Sequence, residues 1–152
     1  MPWSFMWRDF QNLMQTLKHY RVMSPDRAIR GQVNELLKAR PLLTVEEWRR
    51  RCWSPPTVSE PISPALTRFL YRQLGEYSGL RIGCTRPSDR LLEDLHFPLV
   101  CWFDWGLVLR EDVNAAFGID ITDSFDERNY VTLADLVIYL DDQIKAHRPP
   151  SA

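Results

Sequence analysis

Apolar side chains recur at intervals of three and four along most of this 152-residue chain. That spacing lines one face of an α-helix. Met6, Phe10, Leu13, Met14 and Leu17 mark such a face within residues 4–21, with Ser4 suited to cap it. A second helix is expected to start at Ser24-Pro25, cap then proline, and to bury Ile29, Val33, Leu36 and Leu37 before Pro41 ends it. Thr44-Val45-Glu46-Glu47 reads as a capping box opening a short helix to about Trp53. Ser54-Pro55-Pro56 and Glu60-Pro61 cannot continue it, which places a boundary near residue 57.

Ser63-Pro64 repeats the cap-then-proline signal, ahead of Leu66, Phe69, Leu70 and Leu74, with Gly75 or Gly79 as the stop. Ser88 is placed to cap a short turn running to Leu95. The segment from Phe97 to Val113 is apolar almost throughout, and Gly118 closes it. Thr132 with Asp135 is an acidic capping box for a last helix that buries Leu133, Leu136, Val137, Leu140 and Ile144. Only Leu80–Ile82 hints at a strand. The pattern predicts an all-α protein: an N-terminal helical extension over 1–57, a helical bundle over 58–147, and a disordered tail over 148–152.

Composition changes this picture little: 45% hydrophobic and 26% charged residues are ordinary for a globular chain. Charge changes it more. Residues 1–80 carry 12 Lys+Arg against 7 Asp+Glu, whereas residues 81–152 carry 7 against 13. The acidic half suits a basic partner surface and argues against nucleic acid; equally, the basic half could pack on the acidic one. Cys52, Cys84 and Cys101 cannot all pair, and Arg8 and Asp9 interrupt any N-terminal apolar run. Reduced thiols in a cytoplasmic protein, without membrane association, are the economical expectation.

Candidate chemistry is sparse. Cys101 with His96 and Asp104 has the residue types of a nucleophile and base, but Val100 and Trp102 flank the thiol, which favours a buried structural cysteine. His19, His96 and His147 are scattered, and the acids at Asp120, Asp123, Asp126 and Glu127 lack calcium-loop spacing, so no metal or other cofactor is expected. Arg49-Arg50-Arg51 fits the basic last turn of a helix. The six tryptophans are the unusual feature. Trp102 and Trp105 are three apart, Trp3 and Trp7 four apart, and such rings either fill a core or anchor an interface.

Three blocks in order carry a resemblance: Asp89 to Leu95, Phe117 to Asp123, and Tyr130 to Leu140. Together with Ser63–Gly79 they resemble acyl carrier proteins. The resemblance implies a four-helix bundle: a long first helix, a loop, a second helix led by a phosphopantetheine-bearing serine, a short third and a fourth. Here no Ser or Thr lies between Ser88 and Thr122. Counting from Phe117, the attachment position falls near Phe103, or at Asp104-Trp105-Gly106 if the extra residues lie in the helix. The expectation is a non-enzymatic interaction module related to carrier proteins, binding a protein partner or a second copy. Its candidate partner surface is Trp102, Phe103, Asp104, Trp3 and Trp7. The alternatives are a carrier with an unusual attachment site and a small Cys101-dependent enzyme.

Overall fold

The computed structural model describes residues 25–147. The helix expected over 4–21, the tail at 148–152, and Trp3 and Trp7 lie outside the described residues. Every regular element among the described residues is helical; the one β feature is an isolated bridge between Arg90 and Thr132. Leu80–Ile82 gives no strand, and Ile82–Cys84 is a 3₁₀ turn.

Helix α1 spans Arg27–Leu37. Its start is a correction. Asp26, not Ser24-Pro25, is the cap, because its carboxylate accepts the Ile29 amide at 3.0 Å. Helix α2, Val45–Cys52, opens on the Thr44–Glu47 capping box, with both reciprocal hydrogen bonds formed. Helix α3, Pro64–Ser78, has proline in its first turn, but the Ser63 hydroxyl makes no cap. The Ser63 amide instead donates to Oδ1 of buried Asp141 at 3.1 Å, which ties the start of α3 to the last helix. Gly79, at φ 67°, is the left-handed residue that ends α3.

The apolar run from Phe97 does not form one helix. It divides into α4, Phe97–Val100, and α5, Trp105–Phe117, with the chain extended at Cys101. Gly118, at φ 69°, ends α5. A 3₁₀ turn at Glu127–Asn129 precedes α6, Leu133–Ala146, whose Thr132–Asp135 capping box is complete. Leu133, Leu136, Val137 and Leu140 are buried and Ile144 is partly so.

Residues on both sides of position 57 share one core. It runs from Val33 and Leu37 through Trp48, Trp53, Leu66 and Leu70 to Leu109 and Leu140. Trp48 stands at its centre, edge-on to Trp53 and to Tyr71, each at 5.4 Å, and its indole N–H donates to the Thr85 carbonyl at 3.1 Å. Each such ring contributes about 1.5–3 kcal/mol by leaving water. All three cysteines are free and buried. Among the described residues no helix is long and apolar enough to cross a membrane.

A polar junction holds α1 and α2 to the loop after α3. Arg40 Nη1 and Nη2 grip the Asp89 carboxylate at 2.7 and 2.9 Å, and the Arg86 amide adds a third bond at 2.7 Å. Asp89, not Ser88, therefore organises this turn. Its own carbonyl accepts the Leu133 amide at 2.8 Å, bringing in α6. Gly83 sits against the same corner: its carbonyl accepts the Leu43 amide at 3.0 Å.

Candidate partner surface

The step from α4 into α5 is where the chain departs most from a quiet surface. His96, just before α4, sits in the left-handed region at φ 52°, a conformation that few non-glycine residues adopt. Cys101 turns inward and is 1% exposed; Trp102 and Phe103, the next two residues, turn outward at 46% and 58%. Trp105 turns in again, 6% exposed, and packs edge-on against Phe97 at 5.4 Å. The extended backbone at Cys101 produces this alternation, since it breaks the helical register between Val100 and Trp105.

Asp104 is the N-cap residue of α5, yet its side chain caps nothing. The anion at this helix start comes from elsewhere. Glu127, in the 3₁₀ turn before α6, lies so close that a Cβ on Gly106 would meet its Oε2 at 2.7 Å. A carboxylate at the first turn complements the positive end of the helix dipole. Gly106 makes that approach possible because it has no side chain.

A cleft of about 340 Å³ opens beside Phe103 and Trp105. Leu91, Leu92, Phe97 and Pro98 line it together with Glu127, Arg128 and Tyr130. Its lining is mostly apolar, Glu127 and Arg128 being the charged members, with Arg128 held by Asp126 at 3.0 Å. Leu99 and Leu107 are further exposed apolar side chains on α4 and α5.

Of the expected surface residues, Trp102 and Phe103 are exposed together and Asp104 adjoins them, half-buried. Glu127, Arg128 and Tyr130 were not foreseen there. Gly106 in the first turn of a helix is the only sequence signal for them, since it marks a place where another group comes close.

Cys101 offers little chemistry. Burial pushes its thiol up to about 12, and no hydrogen bond among the described residues joins it to His96 or Asp104. A nucleophilic cysteine needs the opposite shift. The acidic residues before α6 are engaged locally: Asp120 accepts from its own Thr122, and Asp126 from Arg128, and each of these bonds lowers the carboxyl below its ordinary value. Among the described residues no three His, Cys, Asp or Glu side chains converge as metal ligands. The arginines of α2 are in its last turn, with Arg49 paired to Glu46 at 3.0 Å.

No protein-family model matches the chain, and neither a curated protein nor a solved structure matches it at a significant level.

Proposed function

We propose that this chain is a non-enzymatic protein-interaction module, built on an acyl-carrier-like bundle without a phosphopantetheine arm. The order of elements from α3 onward supports the bundle: a long helix, a connection that holds a 3₁₀ turn and the short α4, then α5, a 3₁₀ turn and α6. The start of α5 carries the functional half of the reading. An attachment residue must be presented to a transferase, and the two candidate positions hold no hydroxyl. Phe103 is exposed but unreactive, and Trp105 is turned into the core.

What the surface presents instead is two aromatic rings beside an apolar cleft. Aromatic side chains dominate interface energetics because they bury much area at little entropic loss. The partner that fits is a protein offering apolar side chains within a basic rim. Residues 81–152 carry 13 acids against 7 bases, so such a rim would be attracted.

Two measurements test the reading. Co-expression with a broad-specificity phosphopantetheinyl transferase should leave the intact mass unchanged; gain of a phosphopantetheine group would overturn the armless reading. The double variant Trp102→Ser with Phe103→Ser should keep wild-type helicity and lose a partner that the wild type crosslinks in cells. Retention of that partner would overturn the placement of the surface.

A further inference from the structure

We infer that the groove between the end of α2 and the start of α6 binds the phosphate group of a small phosphorylated molecule. It neighbours the cleft beside Phe103, on the far side of the Arg90–Thr132 bridge, and shares no lining residue with it. Its volume is about 460 Å³, within the ~300–1,000 Å³ typical of small-molecule pockets. Arg51, Cys52, Thr57, Arg86, Ser88 and Thr132 supply its polar lining, and no acid is among the lining residues.

Arg51 makes no ion pair among the described residues; Glu47, one turn back, feels its charge but is not within 4.0 Å. Arg86 donates to three backbone carbonyls, those of Gly83, Thr85 and Pro41, and to no carboxylate. Its guanidinium is therefore fixed in place and makes no ion pair among the described residues, the neighbouring Asp89 carboxylate being gripped by Arg40. Thr132 accepts the Asp135 amide with its oxygen, which leaves its O–H proton free to donate. Ser88 is exposed beside it. Thr57 spends its own proton on the Arg51 carbonyl at 3.0 Å, which braces the end of α2.

A groove with two guanidinium groups that make no ion pair among the described residues, two available hydroxyl donors and no lining acid suits a compact multivalent anion. Phosphate fits best because its several oxygens accept from a planar guanidinium and from hydroxyls at once. Backbone carbonyls hold the Arg86 guanidinium, so that part of the site is preorganised for an anion. The proposal stands apart from the partner surface, and either can fail alone.

The test is a titration of the full chain, isotopically labelled, with inorganic phosphate and with pyrophosphate, read as amide shifts. Saturable shifts are expected in residues 51–58, 86–88 and 132–135, and sodium chloride at matched ionic strength should not reproduce them. Arg51→Ala removes an exposed side chain and should weaken binding about tenfold, the loss of one charge-assisted contact. Arg72→Ala, on the exposed face of α3, should leave affinity unchanged and controls for net charge. Shifts that grow linearly, that chloride reproduces, or that Arg72→Ala weakens as much as Arg51→Ala would each overturn the proposal.

Discussion

The junction around Asp89 and the step into α5 lie only fifteen residues apart in sequence, yet they obey opposite rules. At the junction, each strong polar group near Asp89 has a partner. Arg40 spans its carboxylate, the Arg86 amide completes it, Tyr71 donates to the Leu43 carbonyl at 2.7 Å, and Trp48 donates to Thr85. At the step, the cap residue caps nothing, two aromatic rings face solvent and a residue is held in the left-handed region. A region whose polar groups are largely engaged with one another offers little apolar surface to a protein partner. A region that exposes rings and tolerates strain has kept features that folding alone does not reward. That contrast is why partner binding is assigned to the second.

The contrast can be broken most directly at Gly83. A Cβ there would meet the Leu43 carbonyl oxygen at 2.3 Å, and that atom is backbone, held by the Tyr71 hydroxyl at 2.7 Å, while the Leu43 amide is bonded to the Gly83 carbonyl. Neither side has room to yield, so Gly83→Ala should lose about 3 kcal/mol, the upper range for overpacking. Chemical denaturation measures it. A loss below about 1 kcal/mol would mean that the junction is far softer than its hydrogen bonds imply.

Arg40→Ala comes next. It leaves the Asp89 carboxylate, 5% exposed, with only the Arg86 amide. Breaking a buried pair costs about 3–5 kcal/mol, but Arg40 is itself 39% exposed and solvent screens it, so about 2 kcal/mol is expected. Arg40→Lys should recover only part, because an ammonium cannot span both carboxylate oxygens. Full recovery by lysine would reduce the pair to simple charge.

The thiol of Cys101 sharpens the comparison from the other side, since it lies at the step yet belongs to the core. Burial raises it to about 12, against an ordinary value of 9.0. Between those values the folded state keeps a proton that the unfolded chain releases. The stability linked to this group is complete below about pH 9 and is lost as pH rises toward 12. Unfolding measured from neutral to alkaline pH should therefore fall less steeply in Cys101→Ala than in wild type. Tyr77 and Tyr130 are also raised, by burial first, but they titrate in both proteins. Equal slopes would remove Cys101 as a contributor, and fast thiol labelling at neutral pH would mean it is not buried in solution.

Much of the helical frame was legible in the sequence because its signals are local. The Thr44 and Thr132 capping boxes, Pro64 in a first turn, and Gly118 at a stop each act within four residues. What escaped was long-range. Arg40 and Asp89 are 49 apart in sequence, and Asp141 reaches 78 residues back to Ser63. No periodicity encodes such pairs. The break at 101–104 was also hidden, because nothing there is a glycine or proline and tertiary packing overrides an unbroken apolar run. For the surface, Trp102 and Phe103 were visible as bulky rings, but their outward orientation depends on that break. Glu127 and Arg128 arrive from another element altogether.

The smallest effect is expected at Gly106, the counterpart of Gly83 at the step. A Cβ there would also meet a close neighbour, Glu127 Oε2 at 2.7 Å and its Cδ at 2.8 Å. The obstacle is the end of a flexible side chain, so it can swing away. Gly106→Ala then gains up to about 1 kcal/mol of helix propensity and loses about 0.3–1 kcal/mol of carboxylate–dipole attraction. The net change should lie within about 1 kcal/mol of zero, against about 3 kcal/mol at Gly83. A double-mutant cycle separates the two terms. In a Glu127→Ala background the obstacle is gone, and Gly106→Ala should stabilise by about 1 kcal/mol. If Gly106→Ala destabilises by several kcal/mol even without Glu127, the start of α5 is as rigid as the junction. The distinction between a tightly bonded junction and a region that kept its freedom would then fail at the residue chosen to test it.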